Sequence, residues 1–389
     1  MKKKVLALVT AAAMAMSMAA CGGSAESSAP ASSGDGSPVF KLGTIGPLTG
    51  ENAIYGQAVA HGAQVAVDEI NAAGGEMKFE LQTEDDMADG ETSINAYHTL
   101  LDGGMQVLVG PTTTGASIAV GAEVYKDRVF MLTPSGSSPD VVAGKDNVFQ
   151  VCFTDPNQGV GAAEYMAEHM DGAAIAVIYR NDDAYSQGVR DTFVSTAEEK
   201  GMNLVYEGTF TKDTSTDFSV QLTAAQAAGA DTVFLPIYYQ PASVMLSQAN
   251  AMGYAPSFVG VDGMDGLLSM PGFDAALAEG LTIMTPFAAN AEDERTQTFV
   301  KTYQDAYGDL PNQFAADAYD AVYTVKAALE AAGCTTDMSA EDICEALVAV
   351  MPELTVDGMT GQGMTWKPTG EVSKDPIAVV VHNGEYVLP

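Results

Sequence analysis

Short runs of β-branched and aliphatic residues alternate with longer segments of helical period along most of this chain. Lys41 to Ile45 reads as a strand that breaks at Gly46-Pro47. From Gly56 to Ala73, the apolar positions Val59, Ala63, Val67 and Ile70 share one helical face, and Gly74-Gly75 ends the segment. Phe79 and Leu81 alternate as a strand, Gly90 to Leu101 has helical period, and Val107-Leu108-Val109 is a short buried strand ending at Gly110-Pro111. Ser117 to Tyr125 and Val129 to Leu132 repeat the helix and strand. A second series begins near Gly159 with a helix. Strands follow at Ala174 to Tyr179, Leu204 to Tyr206, Thr232 to Pro236 and Phe258 to Val261. Helices lie between them at Gln187 to Lys200, Phe218 to Ala228 and Ala242 to Met252. Such alternation predicts parallel sheets covered by helices on both faces. Two series predict two doubly wound lobes of similar size.

In open α/β sheets, ligands bind outside the carboxyl ends of the strands. The loops at those ends are Gly46 to Tyr55, Gly110 to Ser117, Thr133 to Pro139, Arg180 to Tyr185, Tyr238 to Ser243 and Asp262 to Gly266. They are rich in Gly, Ser, Thr, Tyr and Asp, whereas the strands before them are apolar. That contrast marks where a site should form.

The beginning of the chain adds a compartment. Lys2, Lys3 and Lys4 precede an apolar stretch from Val5 to Ala20, which reads as a secretory signal at 1–20 and is too short for a persuasive membrane span. Met18-Ala19-Ala20-Cys21 resembles a bacterial lipobox, so Cys21 is expected to carry a lipid. Gly22 to Pro38 is a run of Gly, Ser, Ala and Pro with only Glu26 and Asp35 charged. Residues 21–38 should form a tether whose reach is about 20–25 Å. The expected location is extracytoplasmic, with the membrane engaged through the lipid anchor only.

Charge removes one class of partner. Loss of residues 1–20 takes three of the 17 basic residues and none of the 51 acids, leaving 14 and a formal charge of −37. Such a surface repels phosphate backbones, which argues against nucleic acid. Cys334 and Cys344, ten apart, could be bonded in an exported protein, while Cys152 between Val151 and Phe153 reads as a buried thiol. The four histidines are scattered, so no metal and no cofactor is expected. Neither a nucleophile elbow, a His-Glu-x-x-His pair nor a phosphate-binding loop is present, and no catalytic residue is assigned.

Seven segments carry a resemblance. They are IGPLTG at Ile45 to Gly50, with Tyr55-Gly56 behind it; EINAAGG at Glu69 to Gly75; VGPTTT at Val109 to Thr114; and TPSGSSPD at Thr133 to Asp140. PIYYQP at Pro236 to Pro241, GVDG at Gly260 to Gly263 and FAADAYDA at Phe314 to Ala321 complete the set. In this order the chain resembles the periplasmic leucine/isoleucine/valine-binding proteins of the type I fold. The resemblance implies three hinge crossovers, near Cys152 to Asp155, Thr285 to Phe287 and Pro352 to Thr355. The N-terminal lobe would then be 39–152 plus 287–352, and the C-terminal lobe 153–286 plus 353–389.

The resemblance also implies site roles. Thr114 and Ser137 match carboxylate-binding positions, and Asp262 matches the acid that meets an ammonium. The Ser135 carbonyl and the Tyr238 hydroxyl would assist Asp262, with Tyr239 as the alternative if the register slips by one. Tyr55, Tyr185 and Phe314 would face the ligand side chain. Read as residues alone, Thr114 and Ser137 could be helix caps, Asp262 could form an Asx turn, and the aromatics could be ordinary core. Asp262 is one methylene shorter than the family's usual Glu, and Ser135-Gly136-Ser137 is a smaller, more polar wall. The expected function is capture of an amino acid, with a branched-chain one first, for an ABC importer whose membrane permease is the partner. A ligand-sensing lipoprotein with a signalling partner, and a binder of an amide, urea or aromatic acid, are the alternatives.

Overall fold

Strand β1 (Phe40–Gly46) buries every residue but Lys41, which places it in the middle of a sheet whose two faces are both covered. The computed structural model describes residues 38–388. The signal at 1–20, the lipid site Cys21 and the tether as far as residue 37 lie outside the described residues, as does Pro389. Around β1, strands β2 (Phe79–Asp85), β3 (Val107–Val109), β4 (Phe130–Thr133) and β5 (Val148–Gln150) form a parallel sheet in the order β2-β1-β3-β4-β5. Helices α1 (Ala53–Ala72), α2 (Gly90–Asp102) and α3 (Thr114–Asp127) connect its strands.

The second series begins with α4 (Asp155–His169), β6 (Ala174–Arg180), α5 (Ala184–Glu199), β7 (Asn203–Phe210) and α6 (Ser219–Ala227). It continues through β8 (Thr232–Leu235), α7 (Tyr239–Ala251), β9 (Ser257–Gly260) and β10 (Thr282–Thr285). The chain then returns to the first sheet. There α8 (Glu294–Tyr307) and α9 (Gln313–Ala332) pack on α1, and α10 (Ala340–Val350) packs on β4. A small hairpin of β11 (Thr355–Val356) and β12 (Met364–Thr365) follows. Strands β13 (Ile377–His382) and β14 (Glu385–Val387) then close the second sheet in the order β14-β13-β10-β9-β8-β6-β7. β13 and β14 run antiparallel to their neighbours, so this edge departs from the all-parallel expectation.

The third crossing is not at Pro352 to Thr355. Residues 355–374 stay with the first sheet, because β5 is its edge strand and needs a cover. The Gln150 N–H donates to the Gly370 carbonyl at 2.9 Å, and the Trp366 indole N–H donates to the Gln150 carbonyl at 2.8 Å. Asp320 of α9 holds the same segment through the Met359 and Thr360 N–H groups at 3.0 and 2.8 Å. Only after Lys374 does the chain leave, with Pro376 set close to Gly161 of α4.

Cys334 and Cys344 do not pair; both are free thiols. Cys344 lies on the buried face of α10 with Ile343 and Leu347, where burial pushes its thiol up to about 12. Cys334 is half-buried, beyond the left-handed residue Gly333 that caps α9.

Contact between α1 and α9 depends on a missing side chain. A Cβ at Gly62 would stand 2.0 Å from the Ala315 carbonyl oxygen, so the helices must separate to admit it. Gly62→Ala should therefore destabilise the protein by about 1–3 kcal/mol. The measurement is a denaturant titration followed by fluorescence of Trp366, the sole tryptophan. A midpoint equal to wild type would show that the pair yields without strain.

Candidate functional site

Two groups of loops meet between the sheets, each at the carboxyl ends of its strands. From the first sheet come Thr112 to Thr114 after β3 and Ser135 after β4. From the second come Tyr238 after β8 and Asp262 with Gly263 after β9. Together with Tyr55 of α1, Tyr185 of α5 and Phe314 of α9, they line a narrow cavity of about 20 Å³. Of the eight ligand-contact residues expected from the sequence, Tyr55, Thr114, Ser135, Tyr185, Tyr238, Asp262 and Phe314 line it.

Ser137 stands one layer back. It is buried and precedes Ser138, the cap of a three-residue 3-10 turn at Pro139–Val141, so it is not at the start of an α-helix. Its N–H donates to Thr114 Oγ1 at 3.3 Å, which ties the two expected carboxylate positions together. Its own hydroxyl is buried without a hydrogen-bond partner, as is that of Thr113. Thr114 is the first residue of α3, so exposed N–H groups and the positive end of a helix dipole face the cavity there. The Ser135 hydroxyl donates to the Thr112 carbonyl at 2.6 Å, which pins the wall. This side of the cavity is built of hydroxyls and N–H donors.

The opposite side is acidic. Asp262 is only 4% exposed, and its Oδ1 accepts from the Tyr185 hydroxyl at 2.6 Å. The Gly263 N–H donates to that same hydroxyl at 2.9 Å. The Asp262 N–H donates to Gln158 Oε1 at 3.3 Å, and its carbonyl accepts from Gln313 Nε2 at 3.1 Å. Among the described residues no cation reaches the carboxylate within ion-pair distance. Burial pushes its pKa up to about 7; the Tyr185 hydrogen bond opposes this, and nearby Asp317 adds to it. A carboxylate held in this way is short of one positive partner.

Aromatic rings form the rest of the wall. Tyr185 stacks on Tyr238 at 5.2 Å between centroids and 8° between planes. Tyr55 meets Tyr238 edge-on at 5.5 Å and Phe314 at 4.5 Å. Tyr185 thus serves the acid with its hydroxyl and the aromatic wall with its ring, where sequence had assigned it the second role alone. Tyr238 lines the cavity, and Tyr239 lies outside its lining.

Thr112, Thr113 and Gly263 line the cavity without having been singled out. The run of three threonines directly after β3 was the available signal for the first two. Asp155 and Gln158, on the first turns of α4, also carry polar groups that the sequence gives no site role. Both are fully buried, and both Asp155 carboxylate oxygens and Gln158 Nε2 lack a hydrogen-bond partner. Burial pushes the Asp155 pKa well up, while Ser137, facing it outside good hydrogen-bond geometry, opposes the shift. Nothing around the cavity forms a metal cluster: among the described residues no group of three or more His, Cys, Asp or Glu could hold an ion.

The architecture and the order of these segments recur in known proteins. A family model described as periplasmic binding protein matches residues 39–385. The Leu/Ile/Val-binding protein BraC3 of Rhizobium johnstonii is 32% identical over 306 residues, which cover 77% of this chain and 81% of that protein. The branched-chain amino acid transporter substrate-binding protein LivJ of Streptococcus pneumoniae, solved in complex with isoleucine, superposes with a TM-score of 0.79 at 28% identity. That match covers 90% of this chain and all of LivJ, at 100%. A solute-binding protein from R. palustris in complex with benzoate reaches a TM-score of 0.78 at 18% identity, covering 90% and 95%, and shares the fold. With two α/β sheets and a family match across nearly all its described residues, the chain belongs to the periplasmic binding protein family.

Proposed function

We propose that this protein captures an α-amino acid, a branched-chain one first, in the cavity between its sheets and delivers it to an ABC importer. The observation that carries the reading is the polarity of the cavity. Asp262 stands buried and short of a cation at one side, and the α3 N-terminus with its threonine and serine loops supplies donors at the other. An α-amino acid carries the complement of both, an ammonium and a carboxylate, on neighbouring atoms. The four rings between those poles suit an apolar side chain. The names of the relatives support the same class of ligand, since BraC3 is a Leu/Ile/Val-binding protein and LivJ was solved with isoleucine.

In this reading the two halves move as units, residues 39–152 with 287–374 and residues 153–286 with 375–388. Closure puts Thr114 from one half and Asp262 from the other on a single molecule, so the ligand favours the closed state. A lipid on Cys21 would keep the protein beside its permease.

Calorimetry tests the ligand class. The purified protein, stripped by unfolding and refolding, is titrated with leucine, isoleucine, valine, alanine, benzoate and an aliphatic amide. Micromolar or tighter binding is expected for at least one α-amino acid, with no heat from benzoate or the amide. Binding of benzoate or the amide, without any amino acid, would overturn the ligand assignment and leave the fold untouched.

A further inference from the structure

Helices α1 and α7 both begin without a side-chain cap of their own: neither Asn52 nor Tyr238, at their N-cap positions, makes a capping hydrogen bond. The first N–H groups of a helix have no partner inside it, so something else must meet them. Here each helix is met by a tyrosine of the other, across the cleft. Tyr55, in the first turn of α1, accepts from the Tyr239 N–H at 3.0 Å and donates to the Gly263 carbonyl. Tyr239, the first residue of α7, accepts from the Ile54 N–H at 3.5 Å and donates to the Glu51 carbonyl at 2.6 Å. The rings sit edge to face with centroids 4.9 Å apart, and both side chains are buried.

We infer that Tyr55 and Tyr239 form a reciprocal clasp that holds the two halves shut, with Tyr239 as a positioning residue that slows ligand release. The inference rests on the proposed capture of a ligand by closure. Each hydroxyl uses one donor and one acceptor site, and all four partners are backbone groups of the opposite sheet's loops or helices. None of these bonds survives if the halves separate. Tyr239 lines no part of the cavity, so its hydroxyl acts on closure and not on ligand contact. Bonds formed only in the closed state slow its opening and leave the encounter of ligand with the open state unchanged.

Tyr239→Phe removes the hydroxyl and keeps the ring against Tyr55. One to two net hydrogen bonds correspond to a rise in the ligand dissociation rate of about five- to thirtyfold. The full protein is measured by stopped flow with whichever amino acid calorimetry selects, and by small-angle scattering without ligand. The expected result is faster dissociation, an association rate within about twofold of wild type, and a larger radius of gyration for the ligand-free variant. Equal dissociation rates with an equal ligand-free radius would overturn the clasp. So would a fall in the association rate with a lowered thermal midpoint, since that pattern belongs to a structural role. If no amino acid binds, the proposed function fails separately, and the ligand-free radius alone decides: no change in Tyr239→Phe overturns the clasp.

Discussion

Asp262→Ala should weaken amino-acid binding by roughly thirty-fold to several-thousand-fold while the fold stays intact. The range follows from removing the acid that faces a buried ammonium, about 2–5 kcal/mol. Three features of the site put the effect toward the upper part of that range. Asp262 is buried, so water cannot replace it; Tyr185 and Gly263 are arranged around it in fixed geometry; and among the described residues no cation is in contact with it. Calorimetry of wild type and variant gives the ratio directly. A ratio below about threefold would mean that the ammonium lies elsewhere, with Asp155 the next buried acid to test.

The same carboxylate links closure to pH. Burial in the closed cavity pushes its pKa up to about 7, against 3.8 for an ordinary aspartate, a difference of about 4 kcal/mol. An opened cleft would return it to water and to its ordinary range. Between those values closure takes up a proton, so acid favours the closed, ligand-free form. That contribution is fully present below about pH 4 and is lost as pH rises through about 7. Scattering of the ligand-free protein should show contraction from pH 8 to pH 5. Asp262→Asn should lower the slope by about one proton, leaving the share of Asp155 on α4, whose pKa burial also raises. The ligand ammonium takes the place of that proton, so bound protein should show little contraction over the same range.

Periodicity made the alternating core of the fold readable. Strand β3 and the apolar face of α1 stand out because burial on two faces, or on one helical stripe, leaves a strict hydrophobic pattern. The loops of the site were readable for the converse reason: polar residues at the ends of apolar strands have few structural reasons to be there. Three things were not legible. Residues 355–374 have a sparse apolar content, and only the open edge of β5 explains why Trp366 and Gly370 lie against it. Tyr239 looked like a substitute for Tyr238, since neighbouring residues at a helix start differ in direction and not in chemistry. Asp155 and Gln158 open an ordinary amphipathic helix, and nothing local reveals that the second sheet's loops bury them. Each miss depends on contacts between segments far apart in the chain.

Lys374 belongs to the same illegible class, and its loss should have the largest effect on stability of any single charge. Its side chain is 1% exposed, and that of Asp317 is 3% exposed. The ammonium donates to Asp317 Oδ1 at 2.5 Å, to Thr360 Oγ1 at 2.6 Å and to the Val151 carbonyl at 3.0 Å. One side chain thus ties α9, the β11–β12 hairpin and the strand end that leads into the first crossing. Burial lifts the Asp317 pKa to about 6 even with Lys374 against it. Lys374→Met leaves that carboxylate buried without a cation, which costs about 3–5 kcal/mol. Denaturant unfolding at pH 8, followed through Trp366, is expected to show this loss. The cost should shrink at pH 5, because an Asp317 without its lysine takes up a proton and becomes neutral. Replacing both, as Lys374→Met with Asp317→Leu, should recover most of the stability, since two apolar groups leave no charge unpaired. A single-variant cost below about 1 kcal/mol, with no change between pH 8 and pH 5, would show that water reaches the pair and that the crossing is held by packing alone.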